Sequence, residues 1–162
     1  MAIARAQRDY GWIVTGTAAS IVSAIVLSTC GWIENRNAVG PQNGPSQWLW
    51  GRRAARKRTF SARHTLAGYA IHHASSLLWS GIHQAVFARR RRQLQLSSHL
   101  MQGAATAALA CAVDYQLTPR RFQPGFEQQV CRTSLFFVYA GFGIALGLTT
   151  HLLARGCDRA QR

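Results

Sequence analysis

The chain has 162 residues, a length suited to one domain, with 48% hydrophobic side chains and a mean hydropathy of −0.04. Nineteen basic against five acidic residues give a formal net charge of +14, which raises a nucleic-acid reading. The placement of the charges argues against that partner. Arginines flank long uncharged stretches, as they do beside anionic lipid headgroups, and they do not line a groove on a soluble fold.

The first uncharged stretch covers 11–33, behind Arg5, Arg8 and Asp9. It is longer than a signal-peptide core and lacks an A-x-A site, and threonine before Cys30 fits a lipoprotein box poorly. An uncleaved helix long enough to cross the roughly 30 Å hydrocarbon layer is therefore expected. The connection 34–64 opens with the turn formers Asn37, Gly40, Pro41, Asn43, Gly44 and Pro45. Trp48 and Trp50 beside Arg52, Arg53, Arg56, Lys57 and Arg58 fit a segment lying partly in the headgroup layer, or a loop with incidental aromatics. Further spans are expected over 65–87, stopped by Arg89 to Arg92, over 98–118, ended by Pro119, and over 134–154. The predicted fold is all-α: a four-transmembrane-helix bundle in a single membrane domain covering 1–162.

An even number of spans puts both termini on one face with the 89–92 arginines. The two faces then carry nine and ten basic residues. Short loops weigh more in topology, which favours both termini in the cytoplasm.

Small residues recur at helical spacing: Gly16 and Ser20, then Gly103 and Ala107, then Gly143 and Gly147. Such stripes let helices approach closely, where packing and hydrogen bonds replace the hydrophobic effect. On the sequence they read as packing faces, including outward ones that could take other membrane helices.

Polar residues within the spans fall into two groups by depth. Tyr69, His72, His73 and Asp114 lie towards one face, with Tyr115 and Tyr139 at similar depth. Asp114 in lipid should turn inward to a partner, and a contact with His72 or His73 is expected. His83, His99, Gln102 and His151 form the second group, towards the other face. His72, Ser76, Trp79 and His83 share one helical stripe. The histidines read as hydrogen-bonded structural groups. The alternatives are a transition-metal site joining His72 or His73 to Asp114, and a haem b held by His83 with His151 or His99.

No cofactor is predicted on the motifs. There is no G-x-S-x-G, Walker A, G-x-G-x-x-G or H-E-x-x-H sequence, and Asp114 is the one acidic residue inside a span. Paired-carboxylate catalysis is thereby disfavoured, and the chain reads as a non-enzyme. The four cysteines form no C-x-x-C pair. Cys111 reads as a small core residue, while Cys30 and Cys131 fall near one membrane face, where an oxidising compartment would allow a disulfide.

Several stretches resemble small proteobacterial inner-membrane proteins with no assigned activity. They are Gln47-Trp48-Leu49-Trp50-Gly51, Arg63-His64-Thr65, Ile71-His72-His73-Ala74-Ser75-Ser76 with Trp79, Val113-Asp114-Tyr115, Leu117-Thr118-Pro119 and Pro124-Gly125-Phe126-Glu127. The resemblance covers roughly positions 40 to 140 and implies a polytopic bacterial membrane protein. Similar proteins place a histidine where this chain has Gln47, which weakens a metal role for that loop. The leading functional expectation is an accessory or assembly subunit in the lipid bilayer that binds other membrane helices or itself. A histidine-based redox or metal protein, and a small transporter or proton-conducting oligomer centred on Asp114, are the alternatives.

Overall fold

Long stretches free of proline and of strong charge form helices, and four of these carry the chain. They are α1 (Ala2–Asn35), α4 (Ala67–Phe87), α5 (Leu96–Ala112) and α6 (Arg132–Arg159). Two one-turn helices, α2 (Gln47–Trp50) and α3 (Arg52–Ala55), lie in the first connection. This computed structural model describes residues 2–87 and 95–159, with side chains over 10–87 and 95–156; the arginine hairpin at 89–92 lies outside the described residues. Among the described residues there is no strand. The all-α expectation holds. Two helical stretches, Tyr10–Asn35 and Arg132–Gly156, are each long and apolar enough to cross a membrane.

Each expected span lies on a long helix, with shifted ends. α1 runs on towards the N-terminus and stops where Arg36 takes a left-handed φ of 53°. The second is a π-turn, Ala62–Leu66, continued by α4. The third is α5 continued by a π-turn, Val113–Leu117, whose wider coil is closed by Thr118 N–H donating to Val113 O at 2.8 Å.

α1 packs against α4 on one side and α6 on the other, and α5 packs on α6. α4 and α5 also touch, over a smaller area, with His83 reaching Thr106. The small-residue stripes are used inside the chain. A Cβ at Gly16 would press on Leu77 and Ser80 of α4, each at 3.0 Å. A Cβ at Gly103 would run into the carbonyl of Gly143, and one at Gly147 would lie 2.5 Å from His99 O. Ala107 Cβ closes the seam 3.0 Å from the corresponding point on Gly143. The outward use of these stripes expected from the sequence is corrected accordingly: they are intramolecular helix contacts.

The 36–64 connection is the other departure. Pro41, Asn43, Gly44, Pro45, Ser46 and Gln47 are buried, because this segment folds with the α5–α6 connection into a cap over one end of the bundle. Gly44 and Gly125 touch backbone to backbone: Gly125 has a φ of 79°, and a Cβ there would lie 2.6 Å from Gly44 O. The Glu34 carboxylate at the end of α1 accepts from Cys131 N–H at 2.9 Å, from the Cys131 thiol at 3.1 Å and from Ser134 Oγ. It thereby caps the start of α6 across the bundle. Cys30 and Cys131 are free thiols, so the disulfide weighed above is absent.

The α5–α6 seam generates a prediction. Gly103→Val forces the helices apart by overpacking a backbone contact, and should lower unfolding free energy by about 1–3 kcal/mol or prevent folding. Thermal unfolding in detergent measures it. Wild-type stability in that variant would show that the seam does not set the bundle.

Candidate functional site

The cap end holds the first polar group. Tyr139 on α6 donates its hydroxyl to Asp114 Oδ2 at 2.6 Å. Asp114 sits on the π-turn that ends α5, and this turn presents it to α6. The tyrosines Tyr115 and Tyr139 stand edge to face at 6.2 Å.

His72 makes a different pairing from the one expected. Its Nε2 lies 3.0 Å from Ser23 Oγ and 3.3 Å from Ser20 O, both on α1. A carbonyl only accepts, so Nε2 carries a proton. Ser23 in turn donates to Ala19 O at 2.7 Å. Its hydroxyl proton is committed to the backbone and the nearby imidazole nitrogen is no base for it. The pair is structural and not a nucleophilic dyad.

His73 stacks on Tyr69 with ring centroids 6.0 Å apart. Among the described residues neither His72 nor His73 hydrogen-bonds Asp114. The expected ion-pair contact is thus replaced by Asp114–Tyr139 and His72–Ser23.

His72 and Asp114 nonetheless face one space. A cavity of about 50 Å³ lies between α1, α4, α5 and α6 beneath the cap, bordered by both residues and by Ser23, Ser75, Ser76 and Tyr139. Trp79 of α4, Phe142 of α6, and Trp48 and Phe126 of the cap complete its aromatic walls. A water needs on the order of 10–15 Å³ measured this way, so the space holds a few waters or one small solute.

The cap is built from uncharged amides. Gln47 is fully buried; its Nε2 donates to Gln123 O at 2.6 Å and its Oε1 accepts from Gln128 Nε2 at 2.9 Å. Asn43 Nδ2 donates to Lys57 O at 2.8 Å while Oδ1 accepts from Thr65 Oγ1 at 2.7 Å. Trp48 also reaches Gln123 O, at 3.2 Å, and packs edge-on to Phe122. Trp50 lies between the His64 ring at 5.1 Å and the Arg63 guanidinium at 4.7 Å. Burial, then the charges of Lys57 and Arg63, hold the His64 imidazole below its usual range. The tryptophans thus belong to the folded cap, with Trp48 partly at its surface. Gln47 and Asn43 had been read only as a motif residue and a turn former.

The second polar group lies at the other end. His83 Nδ1 pairs with Thr106 Oγ1 at 2.8 Å, and its Nε2 approaches Thr150 Oγ1 at 3.4 Å. His99 and His151 meet edge to face with centroids 5.3 Å apart, and Gln102 lies on the same helix as His99. Both His83 nitrogens lie against threonine hydroxyls. Among the described residues no three His, Cys, Asp or Glu side chains converge as a metal site.

Comparison with protein families, with curated proteins and with solved structures finds no match to this chain. None of the three supports the resemblance to proteobacterial membrane proteins drawn from the motifs.

Gln47→Leu should leave the half-buried Gln128 amide unpaired and Gln123 O with only the longer Trp48 bond, at a cost of about 1–3 kcal/mol. Chemical denaturation of the purified protein checks it. A variant as stable as the parent would show that the cap is held together elsewhere.

Proposed function

We propose that the chain is a four-span integral protein of the bacterial inner membrane that binds a small solute in the polar cavity beneath its cap, without covalent chemistry. The cavity shared by Asp114, His72 and the aromatic walls carries this reading.

The distribution of side chains supports four spans. Leu78 and Val86 on α4, and Met101 and Leu109 on α5, are exposed. Ser76, Ser80, His83, His99 and Thr106 on the same helices are buried. Polar inside and apolar outside is the arrangement a lipid environment demands. α4 and α5 are less apolar overall because their inner faces carry these serines and histidines. The solute-binding reading takes in the transporter alternative, with Asp114 as its centre. Both termini are placed in the cytoplasm on the short-loop argument.

An accessory role is the second reading. The observation favouring it is the adjacent, exposed pair Phe136 and Phe137 on α6, stacked edge to face at 5.6 Å. That surface would have to bind a partner helix, since the glycine seams are occupied within the chain. Copurification of a stoichiometric membrane partner, lost in a Phe136→Ala and Phe137→Ala double variant, distinguishes this role.

Two measurements test the main reading. Reporter fusions placed after Arg58 and after Arg121 should report one side of the membrane, and fusions at either terminus the other. Agreement between a loop fusion and a terminal fusion would break the four-span topology. Then, with the native cysteines replaced by alanine, Ser75→Cys should react with a small neutral thiol reagent at least about tenfold faster than core Leu27→Cys. Equal protection of both positions would mean that no solute reaches the cavity.

A further inference from the structure

The lining narrows the class of occupant, granted the solute-binding reading just given. Asp114 is the one carboxylate on the cavity. Among the described residues its hydrogen-bond partner is the Tyr139 hydroxyl, and no lysine, arginine or histidine is paired with it. A carboxylate held away from bulk water has two stable solutions: it takes a proton, or it meets a positive charge. The cavity offers no lysine or arginine to a ligand, so an anion would find no counter-charge there.

A hard metal cation is an equally poor fit. It needs several oxygen ligands in one shell, and a single carboxylate beside scattered serine hydroxyls does not make one.

Four aromatic rings line the rest of the wall beside Pro45, Ile71, Ala110, Pro124 and Val138. Trp48 and Phe126 descend from the cap, Trp79 comes from α4, and Phe142 comes from α6. Ring faces carry negative charge density and attract a cation that has shed its water. Such walls favour a cation whose charge is spread over carbon-bound hydrogens. A carboxylate together with indole and phenyl rings in one lining suits that charge type. The volume of about 50 Å³ limits it to a compact headgroup.

We propose that the cavity binds a small organic ammonium ion, with its nitrogen towards Asp114 and its carbon shell against Trp48, Trp79 and Phe126. Binding puts a positive charge beside Asp114 and favours its ionised form. The cap, which contributes Trp48 and Phe126, then forms one wall of the site as well as covering the bundle end.

The test uses the full chain in lipid nanodiscs, read by tryptophan emission. Trimethylammonium chloride is titrated at neutral pH against sodium chloride at matched ionic strength, in parallel with tert-butanol, a neutral molecule of nearly the same size and shape. Trimethylammonium should produce a saturable change, and the neutral analogue should bind at least about tenfold more weakly. Asp114→Asn should weaken trimethylammonium by about tenfold or more while leaving tert-butanol unaffected, and Asp114→Glu should restore part of the loss. A thermal melt of each variant reports folding independently of binding.

Equal affinity for trimethylammonium and tert-butanol would overturn the assignment, as would undiminished trimethylammonium binding by folded Asp114→Asn. So would the lack of a saturable trimethylammonium response in protein whose Ser75→Cys variant reacts with the neutral reagent; there the cavity stands and only the ligand class falls. An unreactive Ser75→Cys removes both, because the cavity itself is then closed.

Discussion

The contact between the backbones of Gly103 on α5 and Gly143 on α6 sets the geometry that the remaining polar contacts use. Neither residue has a side chain to hold the helices apart, and Ala107 and Gly147 continue the seam on either side. Once two antiparallel helices are joined this closely, their register is fixed. Stepping one turn back along α5 from Gly103 and one turn on along α6 from Gly147 brings His99 against His151. Stepping the other way, past Ala107 and Gly143, leads to Asp114 and Tyr139. The two polar groups, at opposite ends of the bundle, are thus consequences of one packing seam. In a lipid environment such a seam is held by close packing and hydrogen bonds, with little help from apolar burial.

The same logic governs α1. Gly16 lets α4 close in, and Ser20 and Ser23 then lie where His72 can reach them. The imidazole is spent on α1, which leaves Asp114 to α6. The cavity lies between these two satisfied pairs, and the cap covers its end. Polar groups that pair within neighbouring helices, and not across the centre, leave the centre free for an occupant.

Much of this was legible in the sequence. Uncharged stretches of sufficient length located the four long helices, and glycine spacing located the seams. The stripe of His72, Ser76 and His83 located the inward face of α4. Depth along antiparallel helices brought Asp114, Tyr139, His72 and Tyr69 to one level. Depth could not say which of them touch, because that depends on the rotation of each helix about its axis. For Asp114 this rotation includes a π-turn with no distinctive sequence. Nor could the first connection announce a cap: Asn43, a turn former, ties that connection to its own far end and to α4, and Gln47 looks like a surface residue until the α5–α6 connection supplies the carbonyl and amide it binds, at Gln123 and Gln128. The Gln47 contacts join segments about eighty positions apart, for which local pattern carries no signal.

The chemistry of the cap explains how a chain so rich in arginine keeps its charges out of the site. The fully buried joints of the cap at Asn43 and Gln47 are made by uncharged amides, while Arg52, Arg53, Arg56 and Lys57 remain exposed around it. An amide can satisfy both a donor and an acceptor without the desolvation cost of an ion. Replacing the Gln47 joint by a basic residue would leave a cation under Trp48, close to the cavity and without a counter-charge of its own. The use of glutamine there joins the two connections without adding a charge to the buried end of the bundle.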